Sequence, residues 1–456
     1  MPKTDENAKI EKWLNQNSVQ DVEILVSDFA GISRGKKLPV NKFVEAVGSG
    51  GLRLPESLFG MTVDCDFIGN KYITDLEEDV FLEPDFATAG LVPWCKNVTA
   101  FFICDVRKAD GEMLSMAPRQ VLKNVVSLYA ERGWKPIVAP EFEFTLLARD
   151  GDTDNPPAFP APPTGKSGRL IVDRGILSID GLTEFGPLFD DVRRYCKSMG
   201  LPVDMLVQEA GVGQFEFNVA HGEPLPMADH SFQFKRIMKW AAVQHGLYAS
   251  FMAKPYPGDF GNAMHIHQSV VDAKTGLNVF ADRDGNNSEL FSAHIAGLQK
   301  YAAAAMLFFA PYENSYLRLS SKLSSPVNTH WGLENRSVGL RVPAGGRASR
   351  RIENRIAGSD TNPYLAIAAS LVCGYLGMVE GGKPSKPVTG SAYGLTTNSL
   401  PQHIHASLET LEKCDILKDL LSDEFVTTFL DVKRAEIRAR SNVLSSWDTK
   451  YLLTNV

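Results

Sequence analysis

Three short segments place ionisable side chains two residues apart: Glu141-Phe142-Glu143, His265-Ile266-His267 and Arg351-Ile352-Glu353-Asn354-Arg355. In an extended chain, residues i and i+2 point to the same face, about 7 Å apart. Each segment therefore reads as a strand presenting its functional groups to one side. Two carboxylates so placed repel unless a cation sits between or beside them. The neighbours of Glu141 and Glu143 are apolar (Val138-Ala139-Pro140 before, Phe144-Thr145-Leu146-Leu147 after), which weighs against a solvated acidic face. A second acidic stretch, Gln208 to Phe217, sets Glu209 and Glu216 on either side of a glycine-bearing turn. They converge if that turn is tight; the plainer alternative is a hairpin with two surface acids.

The histidine pair follows Gly261-Asn262-Ala263-Met264, and two imidazoles on one strand face favour metal or phosphate binding over a single satisfied histidine. A second pair, His403 and His405, has no comparable neighbours and reads as helix or loop surface. Arg318, Arg336, Arg341, Arg351 and Arg355 fall within forty residues, interleaved with strand-like apolar positions, a pattern that suits anion recognition. Carboxylates with one imidazole suit Mg²⁺ or Mn²⁺. Arginines facing such cations suit phosphates, so the set describes a phosphoryl-transfer site.

Other nucleotide signatures are missing. Gly165-Lys166-Ser167 ends like a P-loop, but the required first glycine falls on Pro160. Gly211-Val212-Gly213 lacks a third glycine, and no Ser or Cys nucleophile elbow is present. The net charge of −7 argues against a nucleic-acid surface. Six scattered cysteines without a CxxC pair disfavour structural zinc and a disulfide framework, and suggest a reducing cytoplasm. No leader-like or membrane-spanning apolar run is found, and Tyr301–Pro311 reads as a buried helix.

These groups need strands and helices to hold them. Val22 to Val40 reads as strand, turn and strand; Trp94 to Val106 is β-rich; Pro118 to Arg132 has helical spacing ended by Gly133. A small α+β unit thus ends near residue 115. Trp134 to Leu147 reads as a strand of a larger unit, and Arg149 to Gly168 as a Pro/Gly/Asp-rich loop. Helices are expected from about Leu188 to Ser198, Ala228 to Met252, Leu290 to Phe309 and Asn362 to Val379. Lys383 to Leu400 is turn-rich, and the last sixty residues are mainly helical. The polar stretch from Met1 to Gln20 carries no assigned element.

The motifs APEFEF, QEAGVGQFEF, NAMHIHQS, NSYLRL, ENRSVGLRVP and SRRIENRIAGSDTNPYL resemble, in order, those of the glutamine synthetase family. SRGKKLPV, FMAKPY and ENRIAGSDTNPYLAIAA are similar to its γ-glutamylputrescine synthetase branch. The resemblance implies an α+β fold: an N-terminal β-grasp domain over residues 18–115, then a catalytic domain over 116–456 with an antiparallel β-barrel-like sheet and flanking helices. It implies a homo-oligomeric ring, a dodecamer of two hexamers, with sites shared between neighbours.

It further implies two or three Mg²⁺ or Mn²⁺ ions, with Glu143, Glu209 and Glu216 on the first and Glu141, His265 and Glu353 on the second. Arg336, Arg341 and Arg351 would bind phosphate, and Arg336, Arg341 and Arg355 would act in catalysis. His267 and Ser269, with Arg341 and Arg351, would hold the nucleotide. Arg318 and Arg355 would hold the carboxylates of glutamate. The implied reaction is ATP-dependent ligation of the glutamate γ-carboxyl to an amine through γ-glutamyl phosphate.

One departure concerns the amine. Where the family carries a glutamate that helps bind ammonium, counting from Arg318 places Ser324 here. Loss of that carboxylate disfavours a small cation and leaves room for an alkyl group, so putrescine or another polyamine is expected. A monoamine such as ethanolamine or an alkyl or aromatic amine, or ammonia itself, are the alternatives. Glu56, Asp64 and Asp66 are candidate ligands for a distal ammonium, and Trp331 for an apolar pocket. A silent relative is disfavoured because all six presumed ligands and the five arginines are present, and a guanidino-kinase because of the motif order. Tyr393 is weak ground for covalent modification.

Overall fold

The computed structural model describes residues 5–149, 160–320 and 324–453. Helix α1 (Asp5–Gln16) comes first, in the stretch that carries no element by pattern. Only Ile10, Trp13 and Leu14 form its apolar stripe; Ile10 and Leu14 are buried, and Trp13 meets Phe102 edge-on at 6.3 Å.

The first sheet contains β1 (Asp21–Ser27), β2 (Ser33–Pro39), β3 (Arg53–Pro55), β4 (Asp79–Pro84), β5 (Gly90–Leu91) and β6 (Thr99–Arg107). Its order is β2-β1-β6-β4-β3, with β5 beside β6. The β1–β2 hairpin is antiparallel, β1 and β6 run parallel, and α2 (Val40–Ser49) packs against the hairpin. This is a β-grasp arrangement.

Helix α3 (Pro118–Glu131) leads into the second sheet: β7 (Trp134–Ala148), β8 (Val203–Gln208), β9 (Gln214–Val219), β10 (Leu247–Ser250), β11 (Met264–Asp272), β12 (Trp331–Leu333), β13 (Leu340–Val342) and β14 (Ile352–Asn354). Its order is β12-β13-β14-β11-β7-β9-β8, with β10 beside β7. All pairs are antiparallel except β12–β13, which is parallel. Around it lie α4 (Ile179–Glu184), α5 (Gly186–Ser198), α6 (Pro224–Gln244), α7 (Glu289–Tyr301), α8 (Met306–Phe309), α9 (Glu313–Arg318) and α10 (Pro363–Glu380). The C-terminal part adds α11 (Ile404–Glu412), α12 (Asp415–Leu421), α13 (Asp423–Ser441) and α14 (Ser446–Tyr451).

Strand alternation explains how the sheet serves a site. Phe142, Phe144 and Leu146 of β7 and Phe215 and Phe217 of β9 are fully buried, and the phenylalanines pack ring on ring with Phe189, Phe234 and Phe251. The intervening residues, Glu141, Glu143 and Glu216, take the opposite face by the two-residue period.

Two helix expectations need correction. The helix expected to run from Ala228 to Met252 stops at Gln244; Gly246 adopts φ +70°, and Leu247–Ser250 instead pairs with Thr145–Ala148 of β7. The helix expected from Leu290 to Phe309 is two, α7 and α8, separated by residues 302–305. Those include Ala302, Ala304 and Ala305; alanine is the strongest helix former, so nothing in the sequence flags the break. Tyr301–Pro311 is accordingly buried but not one helix. Part of the expected loop from Arg149 to Gly168 lies outside the described residues, as do Lys322 and Leu323 beside Ser324.

Helix α10 starts at the N-cap Asn362, whose side chain accepts from the amides of Tyr364 and Leu365. It is long and apolar enough to cross a membrane by length and composition, yet 89% of it is buried inside the protein. It is the core helix on which α7, α3 and α6 pack.

Candidate active site

Cross-strand register brings the sequence motifs side by side. His265 of β11 lies opposite Glu141 of β7, Glu143 of β7 opposite Glu216 of β9, and Glu141 opposite Asn218. Glu353 of β14 lies opposite His267 on one side and Arg341 of β13 on the other. Directly opposite residues hold their Cβ atoms about 4.5–5.5 Å apart, so five strands deliver one acidic and imidazole-bearing patch. The turn between β8 and β9 is tight, as convergence of Glu209 and Glu216 requires. Gly213 has φ +61°, and a Cβ there would lie 2.7 Å from the Leu146 carbonyl, so only glycine fits.

Glu141, Glu143, Glu209, Glu216, His265 and Glu353 all line one cavity of about 490 Å³. Arg318, Arg336, Arg341 and Arg355 line the same cavity. His267, Ser269 and Arg351 line a second cavity of about 390 Å³, which shares Glu141 and Asn218 with the first. The expected phosphate-binding arginines are thus divided: Arg336 and Arg341 face the first cavity and Arg351 the second. Of the five arginines interleaved with strand-like apolar positions, Arg341 lies within a strand, Arg351 and Arg355 flank β14, Arg318 ends the short helix α9 and Arg336 lies in the turn between β12 and β13.

Within the first cavity two compact groups form. Glu141, His265 and Glu353 bring ligand atoms within 4.8 Å of one another, and so do Glu143, Glu216 and His265. The first group is the expected second-ion set. The second has His265 as its third member, while Glu209 lines the same cavity. The donors are carboxylate oxygens and one imidazole, the set that suits Mg²⁺ or Mn²⁺.

The electrostatics fit a cation at this place. Burial pushes Glu143 up to about 8, helped by the nearby charge of Glu209. Burial pushes Glu216 up to about 9, with Glu141, Glu143 and Glu209 adding to the effect. Glu209 is raised by burial as well. Carboxylates crowded this way hold protons for want of a positive partner. His265 is pushed below its ordinary range by burial and by Arg355, which keeps it a neutral ligand.

Glu353 behaves oppositely. Burial would raise it, but Arg355, His265, His267 and Arg341 outweigh burial and bring it down to about 2. Arg341 Nη1 and Arg355 Nη1 each donate to it at 2.6 Å. Glu141 is held below the carboxylate range as well, since hydrogen bonds from His265 and His267 overcome its burial. His267 takes one tautomer: Arg351 Nε donates to its Nδ1 at 3.1 Å, so its Nε2–H donates to Glu141 at 2.8 Å.

The arginines keep unused donors. The Nε atoms of Arg318, Arg341 and Arg355 are buried with no partner among the described residues. Arg318 donates to the Ile356 carbonyl and, although burial lowers it to about 10, it stays charged near neutrality. A buried guanidinium with a free N–H calls for an anion.

Sequence reading missed the amides and the apolar wall. Gln214 Nε2 donates to Glu143 at 3.2 Å and to the Gly261 carbonyl at 3.0 Å, which links the two acid-bearing hairpins. The alternation Gln214, Glu216, Asn218 on one strand was the available signal. Ile176, Leu177, Met205, Val207 and Phe260 give the cavity an apolar side, and no pattern marked them. Trp331, expected to line such a pocket, is instead buried with its indole N–H on the Ser385 carbonyl at 2.7 Å. Ser324 lines the cavity as expected, with φ +57° and its carbonyl accepting from Arg355 at 3.3 Å. Glu56 faces Lys108, Glu424 and Glu78 rather than this cavity, and the buried hydroxyl of Tyr393 has no partner in the protein.

A curled sheet carrying acids and an imidazole, set against buried arginines, suits divalent-cation and phosphate chemistry. The glutamine synthetase catalytic-domain model matches residues 115–452. The chain is 30% identical to a glutamate–isopropylamine ligase of a Pseudomonas species, over 97% of each chain. It is 31% identical to a γ-glutamylputrescine synthetase of Escherichia coli, over 96% of this chain and 92% of that one. It is also 30% identical to a glutamine synthetase of Methanocaldococcus jannaschii, over 97% of each. Among solved structures, ligand-free GmaS superposes with a TM-score of 0.82 at 25% identity, covering 97% of this chain and 98% of that one. The chain belongs to the glutamine synthetase family, as a ligase of that fold.

Proposed function

We propose that the protein joins the γ-carboxyl of glutamate to an amine larger than ammonia, using ATP. The carrying observation is that six acidic or imidazole groups and four arginines line one cavity, with Ser324 and an apolar wall in place of a further carboxylate. In this reading Glu141, Glu353 and His265 hold one divalent cation, and Glu143, Glu216 and Glu209 another. Bound there, the cations neutralise the phosphates of ATP and the charge on the transferring phosphoryl group.

The chain's own residues do the rest. Arg318 and Arg355 orient the carboxylates of glutamate. Its γ-carboxylate oxygen attacks the γ-phosphorus of ATP, ADP leaves, and γ-glutamyl phosphate forms. Arg336 and Arg341 stabilise the charge on the transferred group. Arg351, His267 and Ser269 hold the nucleotide from the second cavity. The neutral amine then attacks the acyl carbon, phosphate leaves with the oxygen it gained, and one amine proton passes to solvent or a nearby carboxylate.

The amine is read as putrescine or another polyamine, which the similarity to a γ-glutamylputrescine synthetase supports. A small alkyl monoamine is the second reading. The apolar side formed by Ile176, Leu177, Met205 and Val207 favours it, as does the likeness to an isopropylamine ligase. The assembly is read as a homo-oligomeric ring in the cytoplasm. Phosphate release from ATP and glutamate, measured across ammonia, putrescine, longer polyamines, ethanolamine and alkyl amines, tests the proposal. Turnover driven by a polyamine or alkyl amine and not by ammonia is expected. Ammonia as the best substrate would overturn it.

A further inference from the structure

A third cavity, of about 460 Å³, lies between the first sheet and helices α3 and α6. Phe101 and Ile103 of β6, Val126 of α3 and Leu225 of α6 form much of its apolar lining. It shares no lining residue with the two cavities of the candidate active site. Gln233 of α6 lines it at 2% exposure, and neither its Oε1 nor its Nε2 has a hydrogen-bond partner among the described residues. His230, one turn earlier, lines the same space, and its Nδ1 has no partner among the described residues. A buried carboxamide with both ends unmade is costly, and such groups are otherwise nearly always paired.

Charge narrows what fits. Arg119 is spent on its own partners: Asp229 at 3.0 and 2.9 Å, Asp105 at 2.6 Å and Asp85 at 2.6 Å. Lys123 also bonds Asp105. Of the charged lining residues, three are carboxylates, Asp85, Glu223 and Asp229, and one is the cation Arg119, so an anion is disfavoured. The cavity's volume is within the range of small-molecule pockets. Gln233 offers one donor and one acceptor side by side, and the matching group is another carboxamide.

We propose that this cavity binds a compact neutral molecule with an apolar body and a carboxamide group, paired to the Gln233 side chain. Because β6 and the α3–α6 layer both line the cavity, its ligand stabilises the packing of the first sheet against the rest of the chain. The proposal does not depend on which amine the ligase uses.

The probe is benzamide, with benzoate and benzylamine as charged isosteres, followed by saturation-transfer NMR on the full chain. ADP, Mg²⁺ and glutamate are present at saturation to fill the active-site cavities. Benzamide is expected to bind under these conditions, at least about tenfold more tightly than benzoate. Gln233→Leu is expected to weaken it by about tenfold or more while amine-dependent phosphate release is unchanged. Leu225→Trp, which fills the rim, is expected to weaken it to the same degree and stands in should Gln233→Leu not fold. Three results would each overturn the site: displacement of benzamide by ADP and glutamate, retention of benzamide by the folded variants, or no binding of any probe at millimolar concentration, which leaves Gln233 to water.

Discussion

Glu143 and Glu216 make the stability of the metal-free protein depend on pH in a stated direction. Both rise from 4.5, to about 8 and about 9, so the folded chain keeps protons that the unfolded chain has lost. Their contribution is neutral below about pH 4.5 and grows unfavourable as pH climbs towards 8 and 9. Glu353, lowered to about 2, adds stability above 4.5 that is lost as pH falls towards 2. In the proposed reading a divalent cation takes the place of the protons on Glu143 and Glu216. The Mg²⁺- or Mn²⁺-induced rise in Tm is therefore expected to grow from mildly acidic to mildly alkaline pH, measured by calorimetry; a rise independent of pH would refute this. Glu143→Gln is expected to raise the metal-free Tm and to weaken cation binding by more than about tenfold. Ser324→Glu returns a carboxylate to the cavity and is expected to raise kcat/KM for ammonia relative to the best amine by about tenfold, or about 1.4 kcal/mol. At this scale the motifs were legible because two-residue spacing on a strand has one geometric meaning. The wall of Ile176 and Met205 was not, because these residues become lining only once the hairpins fold over.

Strands β11 and β14 are held from behind by a chain of buried polar groups. Asn354 Nδ2 donates to Ser370 Oγ at 2.9 Å, Ser370 Oγ to Gln268 Oε1 at 2.6 Å, and Gln268 Nε2 to His294 at 2.6 Å. Gln268 and Asn354 are the residues next to His267 and Glu353, so this chain ties β11 and β14 to α10 and α7. Gln268→Leu leaves the Ser370 O–H donor and the His294 Nε2 without their partner and is expected to cost about 1–3 kcal/mol for each group, read from denaturant unfolding. A loss well under that range would mean the chain re-pairs. Element type was readable wherever one period ran unbroken, as in β7, β11 and α10. It failed at α1, whose apolar stripe is three residues, and at Leu247–Ser250, where a strand follows a helix after one glycine. Pairing with β7, a contact distant in sequence, decides that segment.

Across the whole molecule, Arg119 joins the two sheet systems. It bonds Asp85 and Asp105 of the first and Asp229 of α6, at 5% side-chain exposure, while Asp229 also accepts from Tyr364 of α10 at 2.6 Å. Arg119→Met leaves Asp85 without a cation, Asp105 with Lys123 alone and Asp229 with the Tyr364 hydroxyl, and is expected to cost about 3–5 kcal/mol, measured as a shift of the urea midpoint. The β-grasp and barrel-like architecture followed from the family resemblance, since strand order and the parallel β1–β6 pair have no signature in local spacing. The central claim concerns where one oxygen goes. Glutamate labelled with ¹⁸O in its γ-carboxyl is supplied with ATP, Mg²⁺ and the best amine, and the released phosphate is analysed by mass spectrometry. Passage through γ-glutamyl phosphate puts one ¹⁸O from glutamate into each phosphate, in step with formation of the γ-glutamyl amide. Phosphate free of ¹⁸O, or released at the same rate without amine, would contradict the ligase assignment of this cavity.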